Sequence, residues 1–147
     1  MVTRMVEVRT HSYRGADDVL REKELLLEIE EALQKVESVK SGTTPKVLQG
    51  FLAGKGWDIE KVLLKGTHYR HDAYKKGILI EIDARGSLID AVHRNFLRAQ
   101  VLHIEKKVDV LVQITDLERE PKFDNIKRDI ELYKSVLTVP IYLIGLG

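Results

Sequence analysis

The spacing of apolar positions along the chain predicts four helices. Over residues 16–36 and 88–103, apolar side chains recur every three or four positions, as one face of a helix requires. A shorter helix is predicted over 44–54, because threonine followed by proline is typical of a helix start and glycine of a helix end. The same spacing over 123–137 predicts the fourth helix.

Four other segments predict β-strands. Residues 67–72 and 78–83 flank Lys75-Lys76-Gly77, which is typical of a turn, so we expect two neighbouring strands there. The apolar, β-rich runs 108–114 and 141–144 predict two buried strands. Strands separated by helices indicate an α/β layer structure, whose strand order cannot be seen in the sequence.

The composition excludes several classes of protein. The chain has 147 residues, no cysteine, 24 Lys or Arg and 23 Asp or Glu. This length is typical of one domain, residues 1–147, with a core that needs no disulfide or structural metal. The longest apolar stretches span only a few residues, and Met1 to Arg14 mixes charged with apolar positions. We therefore expect a cytoplasmic protein with neither a membrane-spanning helix nor a signal peptide.

Charge is unevenly distributed along the chain. Residues 61–107 contain ten Lys or Arg and five Asp or Glu, a net charge of +5, whereas the whole chain has a net charge of +1. That overall balance excludes a histone-like polycation. A basic middle segment is compatible with a site for a polyanion, although a run of like charges also occurs on an ordinary solvated face.

Two acids stand out in the strand predicted over 78–83. Alternation along a strand puts Glu81 and Asp83 on the same face, and a pair of neighbouring acids in an apolar strand is costly unless a cation or hydrogen bonds satisfy them. Asp72, nine positions before Glu81, can supply a third oxygen across the turn. Three carboxylates suit Mg²⁺, so Asp72, Glu81 and Asp83 are a candidate metal site.

The spacing of the acids does not by itself decide between a metal site and a wet sheet face whose acids pair with local cations. The sequence context favours the metal site, since nearby basic residues can hold a phosphate backbone. These residues are Lys75, Lys76, Arg85, Arg94 and Arg98. His68 and His71 are not expected to share a zinc ion, because residues three apart on a strand face opposite sides.

These acids resemble the PD-(D/E)xK nuclease site, and in particular that of the restriction endonuclease family of BglII and BstYI. The similarity continues along nearly the whole chain and in the same order. It includes YRGADDVL over 13–20 and LEIEEAL over 27–33, then a helix ending near Gly56-Trp57, then VDVLVQIT over 108–115 and VPIYLIGL over 139–146.

The resemblance implies a restriction-endonuclease-like core, in which helices flank a central mixed β-sheet. It also implies a homodimeric DNA endonuclease that depends on Mg²⁺, with Mn²⁺ as a substitute. By position, Asp72 and Glu81 would bind the metal, and Asp83 would occupy the third motif place, where many such nucleases have lysine and this family has glutamine or glutamate. Glu60 falls where relatives can place a further acidic residue of the active site.

The chain departs from the family pattern in two respects. Asp83 cannot act as a lysine would, and the chain is shorter than BglII-like enzymes, so part of the apparatus that recognises bases is expected to be absent. Residues 84–87 replace a polar segment that relatives direct towards the bases. The DNA sequence that the protein would recognise therefore cannot be inferred. Two alternatives stay open, a weak or inactive DNA-binding or dimerisation module of the same fold and a structure-selective repair nuclease.

Overall fold

The computed structural model describes residues 7–36, 44–83 and 89–147. These residues form six strands and five helices. In chain order they are β1 (Val8–Tyr13), α1 (Ala16–Glu22), α2 (Leu26–Gln34), α3 (Thr44–Gly54), β2 (Asp58–Val62), β3 (Arg70–Lys75), β4 (Ile78–Asp83), α4 (Ile89–Ile104), β5 (Val110–Asp116), α5 (Phe123–Leu132) and β6 (Ile141–Leu146).

The strands form one mixed sheet in the order β1-β6-β5-β4-β3-β2. β4, β5 and β6 are parallel at its centre, whereas β1 and the β2–β3–β4 meander pair antiparallel. Every residue of β5 is buried, as a central parallel strand with helices on both faces requires. This confirms the prediction of a mixed sheet flanked by helices.

The two faces of the sheet have separate cores. α1, α2 and α3 cover one face, where Ile78, Ile80 and Ile82 of β4 are buried. α4 and α5 cover the other face, where Leu79 is buried. Since side chains alternate along a strand, Glu81 shares the α4 face with Leu79, as the sequence predicts.

The single helix predicted over 16–36 is wrong, because the structure has two helices there. Glu24 has a left-handed backbone with φ of 60° and ends α1. The Leu25 N–H donates to the Leu20 carbonyl and the Glu24 N–H to the Arg21 carbonyl, which together form a Schellman turn. Leu20 and Leu25 are both buried, so the chain turns while keeping both helices on the core.

Other differences lie at the edges of the elements. The edge strands β1 and β2 are not predicted from sequence. Most of their side chains are exposed, so apolar and polar residues do not alternate clearly along them. α5 ends at Leu132, five residues earlier than predicted. Leu88, the predicted first residue of the third helix, lies outside the described residues, as does Arg85.

No helix in the described part of the chain is long and apolar enough to cross a membrane.

Candidate active site

The site begins where β3 and β4 separate. The two strands pair regularly from Lys75 with Ile78 to Ala73 with Ile80. In a regular antiparallel ladder the Ile82 N–H would next bond to the backbone of His71. It donates instead to Asp72 Oδ2 at 2.7 Å, so a carboxylate takes the place of a backbone acceptor.

Glu81 occupies the space that opens beside this break. Its side chain is buried, and Oε1 lies 3.0 Å from His71 Nδ1 and accepts a longer bond of 3.4 Å from the Asp72 N–H. The two acids predicted to act together, Asp72 and Glu81, therefore lie against each other across the β3–β4 boundary. His71 is the buried polar residue that holds one of them.

Burial raises the pKa of the Asp72 carboxyl to about 7. The charge of Glu81 adds to the rise, and Asp83 and Glu60 contribute smaller repulsions, while the Ile82 N–H acts in the opposite direction. The raised pKa indicates that at neutral pH this carboxyl holds its proton much more readily than an ordinary aspartate. A bound cation would relieve the repulsion that causes part of this shift.

Asp83, at the end of β4, is held from two other elements. Its Oδ2 accepts hydrogen bonds from Asn95 Nδ2 of α4 at 2.9 Å and from Gln113 Nε2 of β5 at 2.8 Å. Gln113 stands next to Glu81 in the parallel β4–β5 register. The parallel β4–β5 pairing and the placement of α4 thus bring the third predicted acid and two amide side chains together at one edge of the site.

The structure also brings Glu60 to Asp72. Glu60 lies in β2 with a left-handed φ of 58°, and its Oε1 accepts a hydrogen bond of 3.0 Å from Gln49 Nε2. The same amide nitrogen lies 3.2 Å from the Asp72 carbonyl oxygen. Gln49 therefore connects β2 and β3 beside the site, and the acid assigned most indirectly from sequence is a neighbour of Asp72.

Two of the predicted DNA-binding lysines lie away from the acids. Lys75 Nζ is 3.0 and 3.1 Å from the two carboxylate oxygens of Glu28 and also donates to the Lys55 carbonyl. Lys76 lies in the β3–β4 turn, four residues from Asp72, or about 13 Å along an extended strand. The structure therefore does not group these lysines with Asp72, Glu81 and Asp83.

The predicted arginines of α4 lie on its less buried side. Arg94 is exposed, and the guanidinium carbon of Arg98 lies 3.5 Å from the ring centre of Tyr69. Tyr69 immediately precedes β3, so this stacking holds Arg98 near the end of β3 that contains Asp72. The sequence placed both arginines on one helix face but did not show what Arg98 contacts.

No three His, Asp or Glu side chains of residues 7–36, 44–83 and 89–147 are arranged so that together they could hold a metal ion. Mg²⁺ in phosphate-processing sites commonly takes only one or two protein carboxylates and completes its coordination with water and substrate oxygens. The hard oxygen donors of Asp72 and Glu81, and the repulsion between them, fit such an ion.

Sequence reasoning missed three polar partners of the acids. In the sequence His71 is a candidate only for a zinc pair with His68, and nothing local indicates that it contacts Glu81. Gln113 and Asn95 did leave a signal, because each is a polar residue at an apolar position, Gln113 within the run 110–114 and Asn95 on the buried face of α4. A polar residue at an apolar position indicates a buried polar side chain, but it does not show which residue that side chain contacts.

Three comparisons with known proteins bear on the family and the fold. A family model described as restriction endonuclease BglII/BglIII matches residues 8–146. Among solved structures, the chain is similar to a crystal structure of restriction endonuclease BglII complexed with a DNA 16-mer, with a TM-score of 0.80 and 20% sequence identity. The match covers 95% of this chain and 75% of that one. A search of curated protein sequences finds no match. The predicted resemblance and the restriction-endonuclease-like fold are thereby confirmed.

Proposed function

Because this chain belongs to the BglII/BglIII family of restriction endonucleases, we propose that it is a metal-dependent endonuclease that hydrolyses phosphodiester bonds in DNA. The observation that best supports the proposal is the contact between Asp72 and Glu81 where β3 and β4 separate. The burial and mutual repulsion that raise the pKa of Asp72 favour binding of a divalent cation.

Asp72 and Glu81 are the proposed metal ligands, with Mg²⁺ as the ion and Mn²⁺ as its substitute. When bound, such an ion lowers the pKa of a coordinated water and stabilises negative charge on the phosphate. The protein's part is to hold the two carboxylates in place. The Ile82 N–H orients Asp72, His71 orients Glu81, and Asp72 must give up its proton when the cation binds.

Asp83 and Glu60 are the remaining proposed acids of the site. Asp83 occupies the place where a lysine acts in many PD-(D/E)xK enzymes, and as a carboxylate it can only accept hydrogen bonds or bind the metal. We assign it to the metal or to the attacking water. Glu60 is linked to the Asp72 carbonyl through Gln49, so its carboxylate would add a further oxygen acceptor beside the proposed ligands.

Arg94 and Arg98, both on α4, are proposed contacts to the DNA backbone. The stacking of Arg98 on Tyr69 supports this role, because it orients a guanidinium before DNA arrives. Lys76, exposed in the turn, would reach a more distant phosphate, and the ion pair of Lys75 with Glu28 favours a structural role for that lysine. Arg85 remains a proposed DNA contact, as predicted from sequence.

An exposed apolar stripe supports a homodimer. Leu97, Val101 and Ile104 recur at helical spacing on α4 and remain largely exposed. Leu132 and Val136 are also exposed, at and just beyond the end of α5, which is joined to α4 by the 2.8 Å contact between His93 and Asp129. A stripe of this kind suits a second copy of the chain across a two-fold axis, which would place one active site on each DNA strand.

A cleavage assay on supercoiled plasmid tests the proposed activity. The purified protein is incubated with Mg²⁺, Mn²⁺ or EDTA, beside Asp72→Asn and Glu81→Gln, which keep the size of each side chain. We expect both substitutions to lower the cleavage rate by about 100-fold or more, because each removes a proposed metal ligand. Glu31→Gln, on α2 in an ion pair with Lys55, is the matched control and should cut normally.

The products distinguish the alternatives. Discrete bands that require metal and Asp72 would indicate a sequence-specific endonuclease, and preferential cutting of branched DNA would indicate a structure-selective one. Full activity of both variants would exclude the assignment of the site. Binding of DNA without any cleavage by folded protein would instead indicate a non-catalytic module.

A further inference from the structure

A buried pair of amide side chains lies beside Asp83. Gln113 is fully buried and Asn95 is only 8% exposed. Asn95 Nδ2 donates to both Asp83 Oδ2 and Gln113 Oε1, at 2.9 and 3.1 Å, and Gln113 Nε2 donates to the same Asp83 oxygen at 2.8 Å. The three side chains form a closed triangle of hydrogen bonds that links α4, β4 and β5.

The hydrogen bonds of this triangle fix the orientation of its two amide groups. Because Gln113 Oε1 accepts the Asn95 N–H, the Gln113 amide must turn its Nε2 towards Asp83. Both amides therefore present donors to one carboxylate oxygen. If either amide were reversed, its oxygen would face the carboxylate oxygen, and neither atom could donate.

Packing alone would not select these residues. Gln113 interrupts the apolar run of β5, and Asn95 lies on the α4 face that otherwise buries Val92, Phe96 and Ala99. Burying an amide costs free energy unless its groups are hydrogen-bonded, and an apolar side chain would fill either position without that requirement. The common partner that explains both residues is Asp83.

We propose that Asn95 and Gln113 are positioning residues that fix the Asp83 carboxylate for its role at the metal site. The inference rests on the proposed function and deepens it. In many PD-(D/E)xK nucleases the third motif residue is a lysine, which is itself a hydrogen-bond donor. In this chain that residue is an acceptor, and the donors that orient it come from a neighbouring strand and a neighbouring helix.

Direct metal binding and cleavage kinetics test the inference together. Mn²⁺ affinity is measured by electron paramagnetic resonance for the unaltered protein, Asn95→Leu, Gln113→Met and the milder Asn95→Ser, which retains one donor. We expect Mn²⁺ affinity to fall by about 10-fold or more in the Leu and Met variants, as is typical when a hydrogen bond to a metal-site carboxylate is removed. The Mn²⁺ affinity of Asn95→Ser should lie between that of these variants and that of the unaltered protein.

The kinetic signature separates positioning from a merely structural role. Asn95→Leu and Gln113→Met should lower kcat on plasmid DNA. KM for DNA should stay the same, because Asp83 is not a proposed DNA contact. Gln100→Met is the matched control, since it removes an amide of α4 that hydrogen-bonds to Thr138 and Val139 away from the acids. It should leave Mn²⁺ affinity and kcat unchanged.

The possible failures are distinguishable. If the unaltered protein binds Mn²⁺ and cuts DNA through Asp72, and folded Asn95→Leu, Gln113→Met and Asn95→Ser match it in affinity and kcat, the positioning role is overturned and the proposed function stands. If the unaltered protein neither binds Mn²⁺ nor cuts DNA, the proposed function and this inference fail together. A fall in thermal stability with both metal affinity and kcat unchanged would also overturn positioning.

Discussion

Asp72 illustrates how one side chain can serve both backbone structure and chemistry. Its carboxylate accepts the Ile82 N–H at the point where the β3–β4 ladder ends, so the strand needs this acceptor. The same carboxylate is buried beside Glu81, and this burial raises its pKa to about 7. The stabilising hydrogen bond and the destabilising charge therefore belong to one carboxyl group. The charge depends on pH, so the cost of burying it can be measured by changing the pH.

Stability without metal should fall as pH rises because of Asp72. Its folded pKa of about 7 lies above the ordinary value of 3.8, so from about pH 4 to 7 the folded state binds a proton that the unfolded state has released. The penalty grows through this window, to on the order of 4 kcal/mol, and is constant above it. Asp72→Asn should therefore stabilise the protein more at pH 8 than at pH 5, as measured by urea unfolding in EDTA.

A divalent cation provides the complementary check. Added Mg²⁺ should stabilise the unaltered protein at pH 8 and have much less effect on Asp72→Asn, because the substitution removes one of the two proposed carboxylate ligands. An equal stability difference between the two proteins at both pH values would contradict the raised pKa. An equal response of both proteins to Mg²⁺ would contradict the role of Asp72 in binding it.

At the scale of elements, the break between α1 and α2 shows how tertiary packing overrides a continuous helical pattern. The apolar spacing continues through 16–36, yet the chain turns at Glu24 with a left-handed φ of 60°. Such a backbone is unfavourable for a residue with a side chain and costs little for glycine. The Schellman turn persists because it keeps Leu20 and Leu25 in the core.

Two glutamates, one at the turn and one in the helix just before it, should respond in opposite directions to glycine. Glu24→Gly should raise the free energy of unfolding by up to about 1 kcal/mol, because it relieves the left-handed strain. Glu22→Gly, within the last turn of α1, should lower it by about 1 kcal/mol, because glycine is a poor helix former. Both residues are exposed, so urea unfolding measures the backbone effect. The same sign for both would contradict the observed helix break.

At the scale of the whole molecule, α4 links the proposed active site to the proposed dimer contact. Asn95 points inward to Asp83, while Leu97, Val101 and Ile104 face away from the core. A second copy packed on this stripe would therefore contact the helix that holds one of the acids. Dimerisation and the alignment of two active sites on a duplex would then depend on the same element.

Charge placed on the stripe should dissociate the dimer. We expect the unaltered protein to sediment at about twice its chain mass of 16.8 kDa, and Leu97→Glu with Ile104→Glu to sediment as a monomer. Leu27→Glu is the control, because Leu27 is equally exposed on α2 at the opposite face of the sheet. Analytical ultracentrifugation at micromolar concentration distinguishes these results. A monomeric unaltered protein, or dissociation caused by Leu27→Glu, would contradict the proposed interface.

The sequence by itself determined the features that depend on local periodicity. Alternation along 78–83 put Glu81 and Asp83 on one face, and the three-and-four spacing of α4 separated its buried face from Arg94 and Arg98. These predictions succeed because the period of a helix or strand decides which side chains share a face, whatever the partner. The family resemblance added the fold and placed Glu60 among the acids.

Only the tertiary structure decided which faces meet. The separation of β3 from β4, the contact of His71 with Glu81 and the triangle of Asp83, Asn95 and Gln113 all depend on strand register and helix placement. The pairing of Lys75 with Glu28 across 47 residues is of the same kind. Periodicity records that a side chain is buried, but the identity of its partner is set by contacts between segments far apart in the chain, which no local pattern encodes.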